Sequence, residues 1–119
     1  MTVLVAVPDS REGRYALGAA LAEARMLGTD LLVLDLTQGE VDTSELPVDL
    51  RWEVLTRLGP GDRDPVEAVL QEIRERPEVD RLVIGVRRRS PMGRALLGSL
   101  SQRLLLECPV PVLAVKVPD

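Results

Sequence analysis

The residues with the clearest chemical potential in this sequence come just before its last predicted helix. Gly98 precedes Ser99-Leu100-Ser101-Gln102, in which a serine and a glutamine three residues later form a capping box. A helix start presents unpaired backbone N–H groups and a partial positive charge, and both suit a phosphate group. Gly98 lets the backbone approach an anion closely. Ser99 can either cap its own helix or donate its hydroxyl to a phosphate oxygen, and both roles stay open.

Three consecutive arginines, Arg87, Arg88 and Arg89, stand earlier in the same segment. A guanidinium group can bind a phosphate through two parallel hydrogen bonds. Three interpretations are therefore open for this run. It is a solvated basic loop, a clamp that holds an anion, or a group that blocks the anion pocket.

Several common catalysts are missing from the chain. It has no histidine, one cysteine (Cys108) and one lysine (Lys116), so Ser–His and Cys–His nucleophile pairs and ordinary zinc sites are excluded. No nucleophile with a base is visible, and we expect no catalytic residue, no metal site and no required cofactor. Cys108 is expected to be buried and inert, because the C-terminal end of a helix disfavours a thiolate.

The charge and the apolar pattern limit the classes of protein to which the chain can belong. The chain has 119 residues with 15 basic and 19 acidic side chains, and the net charge of −4 argues against sequence-independent nucleic-acid binding. No apolar run reaches the roughly 18–20 residues that span a bilayer. The apolar start, residues 1–8, lacks a basic segment and is too short for a signal peptide. We expect one cytoplasmic domain over residues 1–119.

The hydrophobic pattern alternates short strands with amphipathic helices. Strands are predicted at residues 3–7, 31–36, 52–58, 81–85 and 110–117, and helices follow Asp9, Asp64 and Gly98. This alternation predicts an α/β fold with a mostly parallel open sheet and helices on both faces. Ligands of such sheets bind at the carboxyl ends of the strands, so the loops after Val7, Leu36 and Gly85 are the candidates.

The chain resembles the universal stress protein family, whose nucleotide-binding pattern is G-x2-G-x9-G-[S/T]. Gly85, Gly98 and Ser99 match this spacing, the strand at 110–117 is similar to that of the family, and residues 64–70 and the opening strand with Ser10 also fit. The resemblance implies the strand order 3-2-1-4-5, a role in stress tolerance, and adenine-nucleotide binding in some members. It also implies a homodimer that forms through the last strand.

Two departures fall on the nucleotide pocket. Arg88 stands where the pattern has its second glycine, and Pro8 stands where nucleotide-binding members carry the aspartate that recognises adenine. Asp9 follows one residue later, and it either substitutes through a shifted loop or caps the first helix. Nine residues form the candidate nucleotide or phosphate site: Val7, Asp9, Ser10, Gly85, Arg87, Arg88, Gly98, Ser99 and Leu100.

These departures leave two hypotheses for function. The first is a regulatory, non-catalytic module with a degenerate adenine-nucleotide site and weak or no ATP binding. The second is a nucleotide- or phosphate-binding protein, with slow hydrolysis of ATP in the presence of Mg²⁺ and with Arg88 as a phosphate clamp. Whether Arg88 clamps or blocks the pocket decides between them.

A third departure concerns length. Residues 37–51 leave little room for the helix that family members have between strands two and three, so this helix is expected to be shortened or missing. Leu46, Val48 and Leu50 are expected to cover the gap. The candidate residues of the dimer strand share apolar character and one edge of the sheet: Val110, Val112, Leu113 and Val115.

Overall fold

The computed structural model of the chain describes residues 1–37, 40–44, 46–56, 64–87 and 99–117. Five strands and three helices follow one another in chain order: β1 (Thr2–Val7), α1 (Arg11–Leu27), β2 (Asp30–Asp35), β3 (Trp52–Thr56), α2 (Pro65–Glu75), β4 (Val79–Arg87), α3 (Ser99–Glu107) and β5 (Val112–Val117). None of the helices in this described part is long and apolar enough to cross a membrane.

The strands form one sheet in the order β3-β2-β1-β4-β5, and all four neighbouring pairs are parallel. The predicted fold class and strand order are therefore confirmed. Within the described residues, the strand bounds lie within two residues of the predicted ones, and the largest differences are in β4 and β5. β4 continues to Arg87, and β5 begins at Val112 rather than at Val110, because Pro109 and Pro111 have no N–H to give to a ladder.

The central strand explains why the sheet has helices on both faces. Every residue of β1 is buried, which matches the unbroken apolar run of residues 3–7. Val3 and Val5 pack in one core cluster with the alanines of α1, whereas Leu4 and Ala6 pack in a second cluster with α2 and α3. The chain therefore has α1 on one face of the sheet and α2 and α3 on the other.

The helix starts follow from local hydrogen bonds. Ser10 caps α1, since its side chain accepts a hydrogen bond from the N–H of Gly13, and Gly28 ends the helix with a left-handed φ of 65°. Asp64 caps α2 by accepting from the N–H of Val66 at 3.0 Å, and Pro65 occupies the first turn as predicted.

The segment between β2 and β3 contains no helix within its described residues, 37, 40–44 and 46–51. Leu46 and Leu50 pack in the core cluster of α1 and cover this side of the sheet, as expected. The expectation for Val48 is wrong, because its side chain is fully exposed. The loop is anchored at two points next to Val48: Asp49 pairs with Arg25 at 3.3 Å, and Trp52 donates its Nε1–H to the carbonyl of Pro47 at 3.1 Å.

Candidate functional site

The candidate site lies at the carboxyl ends of β1 and β4. The chain leaves β1 toward β2 on one side and leaves β4 toward β5 on the other, so strand order reverses between these two central strands. Val5 lies opposite Val83 in their register, which brings the end of β1 beside Gly85. Open parallel sheets bind their ligands in such a crevice.

The start of α1 is packed tightly against the end of β1. Ser10 donates its backbone N–H to the carbonyl of Pro8 at 2.9 Å, and its hydroxyl oxygen accepts from the N–H of Gly13 at 3.3 Å. A Cβ built on Gly13 would overlap the carbonyl oxygen of Pro8. Asp9 is exposed and does not cap α1, so this part of its predicted role is wrong.

The first turn of α1 contacts β4 at Gly85. A Cβ built on this glycine would overlap the carbonyl oxygen of Glu12 and lie 2.8 Å from its carbonyl carbon. Only a residue without a side chain allows the first turn of α1 to pack this closely. Gly85 therefore has a structural reason to be glycine that is independent of any ligand.

The start of α3 approaches the same glycine. Ser101 is buried and donates its hydroxyl to the carbonyl of Gly85 at 3.4 Å. Ser99 is exposed as the first residue of α3, and Leu100 is half-buried and packs against the core cluster of α2 and α3. Since α1 and α3 cover opposite faces, the positive ends of two helix dipoles meet at the backbone of Gly85, an arrangement that favours an anion.

An ion pair joins the end of β4 to the first turn of α1 at this crevice. Arg87, the last residue of β4, donates its Nε–H to the Oε1 of Glu12 at 2.9 Å. The Glu12 side chain is 17% exposed and that of Arg87 is 74% exposed. The pKa of Glu12 is lowered by a hydrogen bond from its own backbone N–H and further by the Ser10 hydroxyl and by Arg87, against the opposing effect of burial.

The oxygen of the Ser10 hydroxyl is occupied, because it accepts from the N–H of Gly13. The same hydroxyl is one cause of the lowered pKa of Glu12. Pro8 provides neither a carboxylate nor an N–H. The end of β1 and the start of α1 therefore present fewer free polar groups than the sequence pattern suggests.

A buried carboxylate, Asp35, orders the neighbouring loop at the end of β2. Its Oδ1 accepts from the N–H of Thr37 at 2.8 Å and from the Thr37 hydroxyl at 2.5 Å, and its Oδ2 accepts from the N–H of Val41 at 3.3 Å. Leu36 donates its N–H to the carbonyl of Val7 at 3.0 Å. Asp35 thus fixes the loop beside the crevice.

The structure brings Val7, Ser10, Gly85 and Arg87 together at the carboxyl ends of β1 and β4. Arg88 and Gly98 lie outside the described residues. The sequence reasoning did not assign Glu12, Asp35 or Ser101 to the site. The only local signals were the position of Glu12 in the first turn of α1 and the interruption of an apolar strand by Asp35. Among the described residues, no group of three Asp, Glu or Cys side chains is arranged to hold a metal ion.

These features define a class of protein: a doubly wound parallel α/β domain of the nucleotide-binding, Rossmann-like type, with its crevice at the reversal of strand order. The model of the universal stress protein family matches residues 60–116. A universal stress protein of Mycolicibacterium smegmatis is 40% identical over 87% of this chain and 88% of its own length. The chain belongs to the universal stress protein family.

Solved structures of universal stress proteins share this fold. The universal stress protein of Archaeoglobus fulgidus has a TM-score of 0.73 at 25% identity, with 98% of each chain covered. A structure of the universal stress protein of this organism in complex with dAMP has a TM-score of 0.66 at 20% identity and covers 98% of each chain. A universal stress protein in complex with cAMP has a TM-score of 0.69 at 22% identity, covering 98% of this chain and 96% of that one.

Proposed function

We propose that this chain is a regulatory, non-catalytic universal stress protein module with a degenerate adenine-nucleotide site of weak affinity. The observation that carries the proposal is the crevice at Gly85. Two helix starts converge there, which favours phosphate, while Pro8 replaces the carboxylate that the family resemblance assigns to adenine recognition. The complexes of related proteins with dAMP and cAMP support an adenine nucleotide as the ligand class.

The fit of a nucleotide to these residues differs between the two ends of the pocket. Toward the phosphate, the chain offers the helix starts and the guanidinium of Arg87, whereas the carboxylate of Glu12 opposes a second negative charge. Toward adenine, Asp9 is exposed and lies one position from the family's aspartate. Mg²⁺ would have to be held mainly by the phosphates of the nucleotide, as it often is.

Calorimetric titration with ATP, with and without Mg²⁺, tests this function. We expect a dissociation constant above about 100 µM, and Pro8→Asp is expected to tighten binding about tenfold because it restores a charged acceptor. Inorganic triphosphate, which has no base, serves as the control ligand, and Pro8→Asp should not tighten its binding. Binding of ATP below 100 µM that weakens on Arg88→Ala would favour the clamp hypothesis instead, and an absence of binding at millimolar ATP would refute the nucleotide ligand.

We further propose a homodimer that pairs through β5. This strand lies at the edge of the sheet, Leu113 is 40% exposed, and the half-buried Val115 faces the side of α1. Val112 packs against the opposite core cluster, and Val110 precedes the strand and packs there as well. Light scattering tests the dimer, and a monomer at about 100 µM chain would contradict it. We also place the protein in the cytoplasm, as a single domain over residues 1–119.

A further inference from the structure

We propose that Glu12 competes with the phosphates of the nucleotide for Arg87, and that this internal contact lowers the affinity of the crevice. The inference rests on the proposed nucleotide function and deepens it. It assigns to Glu12 a regulatory role at the site and to Arg87 the role of a phosphate contact. It is independent of Arg88.

The first step is the position of Arg87. Alternate residues of β4 face α1: Arg81 pairs with Glu23 of that helix, Val83 packs in its core cluster, and Gly85 lies against its first turn. Arg87 continues this row at the carboxyl end of the strand. Its guanidinium therefore lies beside the helix start and the strand reversal that favour a phosphate.

The second step is the difference between the two partners of the ion pair. The carboxylate of Glu12 is mostly shielded, with 17% of its side chain exposed, and its backbone N–H and the Ser10 hydroxyl help to lower its pKa. The side chain of Arg87 is 74% exposed, and the structure shows it bonded to Glu12 only through Nε. Arg87 is thus the partner that can move, and its remaining N–H groups can reach an anion.

The third step is the cost of the exchange. When Arg87 turns to a phosphate, it leaves the carboxylate of Glu12 in the crevice without its cation and close to the negative charge of the ligand. An exposed ion pair of this kind is worth a few tenths of a kcal/mol to about 1 kcal/mol, which corresponds to an affinity change of up to about fivefold. Replacement of Glu12 by a neutral residue of the same shape should recover this factor.

The experiment measures ATP binding to Glu12→Gln by calorimetry beside the wild-type protein. We expect about three- to fivefold tighter binding of ATP and an unchanged affinity for adenosine, which has no phosphate. Glu72→Gln is the matched control, because the Oε2 of Glu72 also accepts from an arginine Nε, that of Arg76 at 3.0 Å, on the distant helix α2. This control should bind ATP as the wild type does.

Two further variants separate competition for Arg87 from simple charge repulsion. In an Arg87→Gln background, the gain from Glu12→Gln should fall below about twofold, because there is no guanidinium left to release. Glu12→Asp keeps the charge but has a shorter reach to Arg87, and it should also bind ATP more tightly than the wild type. It serves as the second test if Glu12→Gln fails to fold.

Equal ATP affinity of Glu12→Gln and the wild type would overturn the inference, as would an equal gain in the Arg87→Gln background. These outcomes concern ratios of affinity, whereas the proposed function concerns the absolute affinity of the wild type. Tight wild-type binding would refute the degenerate site and still allow the ratio to be measured. If neither the wild type nor Glu12→Gln binds any adenine nucleotide at millimolar concentration, both proposals are wrong.

Discussion

A methyl group added at Gly85 tests how closely α1 packs on the sheet. In Gly85→Ala, the new carbon would overlap the carbonyl oxygen of Glu12 and lie 2.8 Å from its carbonyl carbon and 3.1 Å from its Cα. These are backbone atoms, so no side-chain rotation relieves the overlap. Since non-bonded carbons prefer about 3.5–4.0 Å, the first turn of α1 must retreat by roughly 0.7 Å or more.

The retreat has a cost because the rest of α1 is packed just as closely. Ala16, Ala20 and Ala24 of the same helix are fully buried, and a shifted first turn loosens their contacts with the sheet. An overpacked core position costs about 1–3 kcal/mol, and an overlap with backbone belongs in the upper part of that range. We therefore expect Gly85→Ala to lose about 2–3 kcal/mol and to melt roughly 8–12 °C lower than the wild type.

Thermal and urea unfolding followed by circular dichroism measure this change. Gly18→Ala is the matched control, because it lies in the same helix and a Cβ there meets no described atom within 4 Å. That variant should gain about 1 kcal/mol, since alanine has the higher helix propensity. If Gly85→Ala melts within a degree or two of the wild type, α1 is not packed on β4 in this way, and the structural reason for this glycine is refuted.

Three other predictions concern ionisable groups. Asp35→Ala should destabilise the fold by about 2–3 kcal/mol in urea unfolding, because it removes the acceptor of three hydrogen bonds to Thr37 and Val41 at a buried position; stability equal to the wild type would contradict this. The lowered pKa of Glu12 stabilises the folded state above the unfolded value of about 4.5, and this contribution is lost as the pH falls through the lower folded value. The difference in the free energy of unfolding between the wild type and Glu12→Gln should therefore become smaller from pH 7 to pH 3. A difference that stays constant would contradict the lowered pKa of Glu12. Burial raises the pKa of Cys108, so at pH 8 its thiol should react with a thiol reagent more slowly in the folded protein than in urea; equal rates would show that the thiol is not protected.

The elements of this fold are predictable from local patterns in the sequence. The unbroken apolar run of β1 predicts a central strand, and Asp64-Pro65 predicts the start of α2, because each pattern acts over a few neighbouring residues. The strand order required the family resemblance in addition. The choice between Asp9 and Ser10 as the cap of α1 was not predictable, since both residue types cap helices well. In the structure Ser10 is the cap, and Gly13, which donates its N–H to Ser10, packs closely on the carbonyl of Pro8.

The contacts of the site were less predictable because they join residues far apart in the chain. Glu12 and Arg87 are separated by 75 residues, and Ser101 reaches back 16 residues to Gly85. No periodicity or spacing in one sequence indicates which charged side chain faces which other. The covering of the sheet by Leu46 and Leu50, but not by Val48, likewise depends on the path of a loop.

The case of Gly85 changes how the nucleotide pattern of this chain is interpreted. The packing of α1 is by itself enough to require this glycine, so its presence is compatible with a site that binds weakly. Under the proposed function, the residues that report on the ligand are Pro8, whose side chain has no polar group to offer adenine, and Glu12, which pairs with Arg87 at the proposed phosphate side. A sequence pattern that contains both residues required by packing and residues that contact a ligand can match a chain through the packing residues alone. In this chain the evidence for nucleotide affinity therefore has to come from Arg87 and its partner rather than from the glycine.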